Sequence, residues 1–317
     1  MKAAIVTVAG QPPAYGEFRE PAPVAGRRRV RVTAAALSHI TRNRASGRHY
    51  SADGDLPFVP GMDGTGVDED GRRVYFLAPE PPWGGMAERC LVDERHLVAL
   101  PDGLDDVVAA ALAIPGMSSW AALAERARLR PGETVLVNGA TGASGRLAVQ
   151  IARHLGAGRI VATGRNAGSL AELRRLGADV TIALAQDRAA LEADLRQVFG
   201  AGVDVVLDYL WGASAEALVM AGAKAGPAGV PIRYVEIGAI SGADITLPGA
   251  ALRSSALQLM GSGIGSVPLP RLLDAVRGVL TAAPSAGFEV AVRPMPLADV
   301  EQAWAEQDAG ARIVLCP

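Results

Sequence analysis

Apolar positions follow two alternating rhythms through the middle of the chain. Short β-branched runs, Val135-Leu136-Val137 and Ile160-Val161-Ala162-Thr163, read as strands, and between them Leu147, Ile151 and Leu155 fall on one helical face. The alternation continues. Strands are predicted at 181–182, 203–207, 234–237 and 257–260. Helices are predicted at 170–176, at 187–199 with Asp187 as N-cap, and at 214–222. Ser169 and Glu172 have the spacing of a capping box ahead of the first of these helices. Strands alternating with helices predict a parallel, doubly wound sheet, an α/β fold of Rossmann type.

The flanks differ. From 1 to about 115 the strand-like runs are short, at 3–8, 29–34, 73–77 and 86–92. Gly, Pro and Asp clusters separate them, as at 57–66 and 78–85. This predicts a compact β domain of barrel type. Residues 38–48 hold a short helix, and two helices at 104–113 and 117–129 are expected, broken by Pro115-Gly116. The tail has a helix at 269–280, a strand at 290–293, a helix at 297–306 and a strand at 313–315. It is too small for a domain of its own. The expected division is therefore 1–116 as a catalytic β domain, 117–263 as a dinucleotide-binding domain, and 264–317 as a return that completes the first.

Between the first two central strands lies Asn138-Gly139-Ala140-Thr141-Gly142-Ala143-Ser144-Gly145. Glycine is needed where the backbone turns sharply from strand to helix and where it approaches a phosphate without a Cβ in the way. A helix starting near Ser144 would aim free N–H groups and its positive dipole end at that phosphate. The spacing is G-x-x-G-x-x-G, and its place between strand and helix makes it a dinucleotide site rather than a packing turn. About twenty residues on, an NAD site carries an acidic residue for the ribose 2′-hydroxyl. Here Gly164-Arg165-Asn166 has none, and Arg165 can pair with a 2′-phosphate. NADPH is the expected cofactor; the other reading of Arg165 is a solvated surface arginine. The crevice at the switch point would take residues 142–145, 208–211 and 238–241, all at carboxyl ends of strands.

Composition narrows the class. The chain has 317 residues, 50% hydrophobic and 20% charged, with a formal net charge of −2. Two domains and a large core follow, and a bulk nucleic-acid partner is not expected. Lys2 and Lys224 are the only lysines; Cys90 and Cys316 are the only cysteines, too few for a disulfide framework or a cysteine-rich zinc lobe. The opening apolar run is too short for a signal peptide, and no segment is expected to span a membrane. A cytoplasmic protein is the expectation.

The order of these motifs resembles the medium-chain dehydrogenase/reductase superfamily, and within it the zinc-free quinone oxidoreductase branch. The anchors are the stretch 37–50, Pro60-Gly61-Met62-Asp63-Gly64-Thr65-Gly66, Pro115-Gly116-Met117-Ser118-Ser119-Trp120, Pro131-Gly132-Glu133-Thr134-Val135-Leu136-Val137, the glycine turn, and 261–265. The resemblance implies a GroES-like first domain beside the Rossmann domain. It also implies cofactor contacts at Ser38, His39, Met117, Thr141, Gly142, Ala143, Ser144, Gly145, Gly164, Arg165, Asn166, Tyr209, Ile237, Gly238, Ala239 and Gly263. His39 as a plain surface histidine is the alternative.

Two departures matter. Zinc alcohol dehydrogenases of the superfamily place Cys near Ser38, His near Met62 and Cys or Asp near Pro115; a hydroxyl, a thioether and a proline cannot hold a catalytic zinc, so no metal is expected. The quinone reductases carry Asn near Ser38, an acid near Thr41 and Tyr near Asn43. This chain loses those three and keeps Ser46-Gly47 and Tyr50. The expected activity is NADPH-dependent reduction of a conjugated carbonyl (quinone, enone or enoyl type). A pathway-specific reductase of an enoyl or imine intermediate, or a non-catalytic NADPH-binding protein, are the alternatives. The substrate pocket is expected between the domains, near Tyr50, Met62, Trp83, Met117 and Trp211. Tyr50 is the expected proton donor, with His49 or water as rivals; Asp63 is the second candidate catalytic residue, with a structural role as its alternative. Open strand edges near 257–260 and at Ile245-Thr246-Leu247 predict a homodimer.

Overall fold

A computed structural model describes residues 1–47, 55–306 and 310–317. In chain order the elements are β1 (Lys2–Ile5), β2 (Ala14–Glu17), β3 (Arg27–Ala36), α1 (His39–Ala45), β4 (Asp63–Val67), β5 (Arg73–Leu77), β6 (Arg89–Asp93), β7 (Leu97–Ala99) and α2 (Asp106–Ala121). Then follow β8 (Thr134–Asn138), α3 (Ala143–His154), β9 (Arg159–Gly164), α4 (Ala167–Arg175), β10 (Val180–Ala183), α5 (Arg188–Gly200), β11 (Val205–Asp208) and α6 (Gly212–Ala225). The chain ends with β12 (Ile232–Glu236), α7 (Gly249–Arg253), β13 (Leu257–Gly261), α8 (Leu269–Ala286), β14 (Val292–Pro296), α9 (Val300–Ala305) and β15 (Arg312–Cys316).

Two compact units result, Met1–Ile114 with Val276–Pro317, and Pro115–Ala275. The return to the first unit thus starts later than the expected 264. Both boundaries lie inside helices, α2 and α8, and no turn marks the second in the sequence.

The second unit is a parallel six-stranded sheet in the order β10-β9-β8-β11-β12-β13. This is the doubly wound order, and it reverses at β8 and β11. Leu136, Val161, Val206 and Tyr234 supply the sheet's side of the core; Leu195, Val198 and Phe199 of α5 and Leu218 of α6 pack on it.

In the first unit the strand path is β14-β15-β3-β4-β5-β7, with β6 also on β3. β3 serves three partners along its length: β6 over Arg27–Arg31, β4 from Arg31 to Ala34, and β15 at Ala35 and Ala36. A register shift between Val32 and Ala34 interrupts the pairing with β4. β4 sits in a stretch expected to be a turn cluster. Its glycines are there for close packing: a Cβ on Gly64 would stand 2.7 Å from Ala34 O, and one on Gly66 2.3 Å from Arg31 O.

Three expectations need correction. Pro115 does not break the helix; α2 runs through it and continues as a π-helical turn at Ala122–Ala127. The carbonyl of Pro115 accepts from Ser118 Oγ at 2.9 Å and Ser119 Oγ at 3.0 Å, so hydroxyls share in satisfying the backbone beside the proline. The run Asp106–Ala127 is therefore 22 residues, long and apolar enough to cross a membrane by length and composition; 67% of an apolar 18-residue stretch within it is buried in the protein, and a core helix meets the same test. Finally, Asn166 rather than Ser169 caps α4, its side chain accepting from Ser169 N at 3.0 Å. Asn is as good a cap as Ser, and the earlier one starts the helix.

Candidate functional site

Three glycines of the turn after β8 are there for three different reasons. Gly139 has φ +83°, and a Cβ there would stand 2.7 Å from the Leu210 side chain. Gly145 is buried; its Cβ would meet Gly139 O at 2.4 Å, so glycine lets α3 sit down on the turn. Gly142 is exposed, and a Cβ would find its nearest neighbour at 3.9 Å. The outer face is open where the helix starts. Gly142 is the N-cap of α3, and no side chain caps the N–H groups of the first turn, formed by Ala143, Ser144 and Gly145. These donors and the helix dipole suit an anion.

The end of β9 closes on the same turn. A Cβ on Gly164 would lie 2.3 Å from Thr141 Cγ2, and Ala140 N donates to Thr163 O at 2.8 Å. Arg165 follows, exposed. Nearby, Arg146 pairs with Glu172 at 2.9 Å, and Arg175 pairs with the same carboxylate at 3.1 Å; hydrogen bonds from Arg175 and Arg146 hold Glu172 below the usual carboxylate range.

The far side of the turn belongs to β11 and β12. Tyr209 OH lies 2.8 Å from Ser119 Oγ, and burial pushes its phenol up to about 12, against its hydrogen bonds to Ser119 and Ser118. Met117 is buried in α2. Ile237 N and Gly238 N both donate to Asp208 O, at 2.8 and 3.2 Å; Ala239 is exposed beyond them. Gly263 belongs to an exposed turn after β13, closed by Ser266 Oγ accepting from its N–H at 2.7 Å.

Beneath these loops runs a buried polar network that sequence reasoning missed. Tyr234 OH donates to Asp208 Oδ2 at 2.6 Å. Asp208 Oδ1 accepts from Asn138 Nδ2 at 2.7 Å, Leu210 N at 2.9 Å and Trp211 N at 3.2 Å. Thr163 Oγ1 donates to Asn138 Oδ1 at 2.7 Å and accepts from Gly139 N at 3.2 Å. Four adjacent strands are tied together, β8, β9 and β11 at their carboxyl ends and β12 from its middle. The network also holds Trp211 at φ 58°, ψ −157°, a conformation rare for any residue but glycine. The signal was present in the sequence: a lone polar residue ends each of the runs Val135-Leu136-Val137 and Val205-Val206-Leu207.

In the first unit, Ser38 is buried and caps α1. Its Oγ accepts from Thr41 N at 3.2 Å and lies 2.9 Å from Thr41 Oγ1. His39 is exposed at the start of α1. Met62 and Trp83 line a cleft of about 860 Å³ with Phe18, Thr41 and Phe58. Asp63 does not face that cleft's solvent: it is 1% exposed, its Oδ2 accepts from Tyr75 OH at 3.1 Å, and its Oδ1 has no hydrogen-bond partner among the described residues. Burial pushes its carboxyl up to about 7, against the charge of Arg312 and the Tyr75 hydrogen bond. Tyr50 and His49 lie outside the described residues.

A cofactor and a metal fare differently on these residues. The open Gly142 face and the uncapped first turn of α3 fit a dinucleotide. The positions expected for zinc offer a capping hydroxyl at Ser38, a thioether at Met62 and no donor at Pro115, which do not fit that metal. Among the described residues no group of three or more His, Cys, Asp and Glu gathers elsewhere.

The zinc-binding dehydrogenase family matches residues 143–277. Over the full length of both chains, the protein is 30% identical to a probable NADPH-dependent quinone reductase, tdiC, of Emericella nidulans. A mycocerosic acid synthase-like polyketide synthase of Mycobacterium tuberculosis is 33% identical over 71% of the chain, which spans only 10% of that synthase. The quinone oxidoreductase from Thermus thermophilus, whose structure is known with NADPH, is 30% identical and superposes over the whole of both chains with a TM-score of 0.82.

Proposed function

Because the chain belongs to the quinone oxidoreductase-like branch of the medium-chain dehydrogenase/reductase superfamily, we propose that it is an NADPH-dependent oxidoreductase reducing a conjugated carbonyl without zinc. The observation that carries this reading is the glycine turn, closed by packing at Gly139 and Gly145 and open at Gly142. The first-turn N–H groups of α3 hold the pyrophosphate, and the exposed Arg165 takes the 2′-phosphate. Tyr209, Ile237 and Gly238 form the wall on the β11–β12 side. NADPH, when bound, supplies the hydride.

The protein must supply a hydrogen-bond donor for the substrate oxygen and a proton for the carbon next to it. We assign the proton to Tyr50 by resemblance, with His49 or water as the rival source. Asp63, closed in against Tyr75, has a structural role in this reading. A homodimer paired along the edge strand β13 and a cytoplasmic location complete it.

The test is consumption of NADPH, followed by its absorbance, against a panel of quinones and conjugated ketones. No turnover with any of them, together with tight NADPH binding, would favour a non-catalytic protein. The likeness to polyketide synthases supports a second reading, a biosynthetic reductase of one enoyl intermediate. Turnover of enoyl thioesters and not of quinones would select it.

Two variants probe the assignments. A charge-assisted hydrogen bond contributes about 1.5–3 kcal/mol, or one to two decades of affinity. Arg165→Ala is expected to weaken NADPH by roughly that factor and to leave NADH nearly unchanged; equal losses for both would remove Arg165 from the 2′-phosphate. Tyr50→Phe keeps the ring and removes the hydroxyl. Turnover should fall by about 10²-fold with NADPH binding unchanged, and a near-normal rate would move the proton source elsewhere.

A further inference from the structure

Asp208 stands apart from the other acidic residues of the second unit. It is 0% exposed at the carboxyl end of β11. Its side-chain oxygens accept from Asn138 Nδ2, Leu210 N, Trp211 N and Tyr234 OH, and among the described residues it has no cation as partner. Three of these four partners, the Asn138 amide and the backbone N–H groups of Leu210 and Trp211, can only donate, which favours the acceptor-only, ionised form of the acid. The donors around it are amides and a phenol, so they spread the charge without cancelling it. Tyr234 stays a donor because burial and the neighbouring Asp208 charge hold its phenol well above its usual range. The register partner of Asp208 on β12 is Glu236, half-buried at the next strand end.

This charge has a definite place relative to the cofactor proposed above. In a sheet of this order, the two halves of a dinucleotide lie on either side of the switch point. Arg165 follows β9, so the adenosine half takes the β9 side and the nicotinamide half takes the β11–β12 side. The pyrophosphate is the same in both redox forms, and Asp208 repels it equally in both. The nicotinamide ring is not the same: it is neutral in NADPH and positively charged in NADP⁺.

We propose that Asp208 is a fixed negative charge that makes this half of the crevice favour NADP⁺ over NADPH, and so favours release of hydride from the bound cofactor to the substrate. The inference rests on the NADPH reading. It makes Asp208 a tuning and positioning residue that acts through the crevice, rather than one that touches the reacting atoms.

The experiment measures the dissociation constants of NADP⁺ and NADPH separately, by titration of tryptophan fluorescence, with no substrate present. In Asp208→Asn, the ratio Kd(NADP⁺)/Kd(NADPH) should rise about tenfold, the order of effect of unit charges about 12 Å apart at an effective dielectric constant of about 20. Tyr234→Phe removes a hydrogen bond from the same network and keeps the charge, so its ratio should stay at the wild-type value. A purely structural role for Asp208 would move both constants together, and an unchanged ratio in Asp208→Asn overturns the proposal. So does a ratio that rises as much in Tyr234→Phe. If Asp208→Asn does not fold, Glu236→Gln decides: removal of that neighbouring charge should raise the ratio severalfold, and no change there is equally fatal. Failure of the wild-type protein to bind either form would instead sink the NADPH reading itself.

Discussion

Replacing Gly142 by Asp is expected to weaken NADPH binding by about a thousandfold while leaving the protein as stable as before, or slightly more so. The two effects have opposite causes at one position. Gly142 has φ −77° and ψ 167°, which any residue adopts, and a Cβ there meets nothing closer than 3.9 Å. Asp is among the best N-caps, and over Gly it adds a few tenths of a kcal/mol by accepting from the first-turn N–H groups. Those are the donors a pyrophosphate needs. A carboxylate on that face removes them and adds a like charge at close range; two such charges about 4 Å apart repel by about 4 kcal/mol at an effective dielectric constant of about 20. Gly142→Ala, which adds no charge, should lose far less. Calorimetric titration with NADPH, beside a thermal melt of the free protein, separates the effects. Unchanged affinity in Gly142→Asp would place the phosphates somewhere other than the start of α3.

The Rossmann unit was legible in the sequence because its signals are local. A β-branched run, a glycine turn and a helix with one apolar face determine one another over some thirty residues, and β8, α3 and β9 stand where that pattern put them. The first unit was harder to read. β4 is Asp-Gly-Thr-Gly-Val, which looks like a turn until Ala34, Arg31 and Phe76 are in place to demand its glycines. Pro115 has the same character: its residue type says stop, and the fold carries α2 through it. The site divides along the same line. Gly139, Gly142 and Gly145 could be read from spacing. The network of Asn138, Thr163, Asp208 and Tyr234 left only a faint trace, a polar residue at the end of two apolar runs, because its members come from four strands that become neighbours only in the sheet.

Asp63 carries the largest expected pH effect on stability. Its carboxyl is pushed up to about 7 in the folded protein, chiefly by burial, from an ordinary value near 3.8. Between those two values the folded chain holds a proton that the unfolded chain has released. Stability from this group is therefore complete below about pH 4, falls as the pH rises toward 7, and is flat above. A shift of roughly three units corresponds to about 4 kcal/mol across that window. Asn has nearly the same shape, can still accept from Tyr75 OH, and does not ionise, so Asp63→Asn should lack this slope. Urea unfolding of both proteins at pH 5 and pH 8 tests it: wild type should lose about 2–3 kcal/mol relative to the variant as the pH rises. Arg312 is what limits the effect, since its charge favours the ionised acid and works against burial. If wild type and Asp63→Asn keep the same difference in stability at both pH values, the Arg312 charge has won, and Asp63 stays ionised across the window.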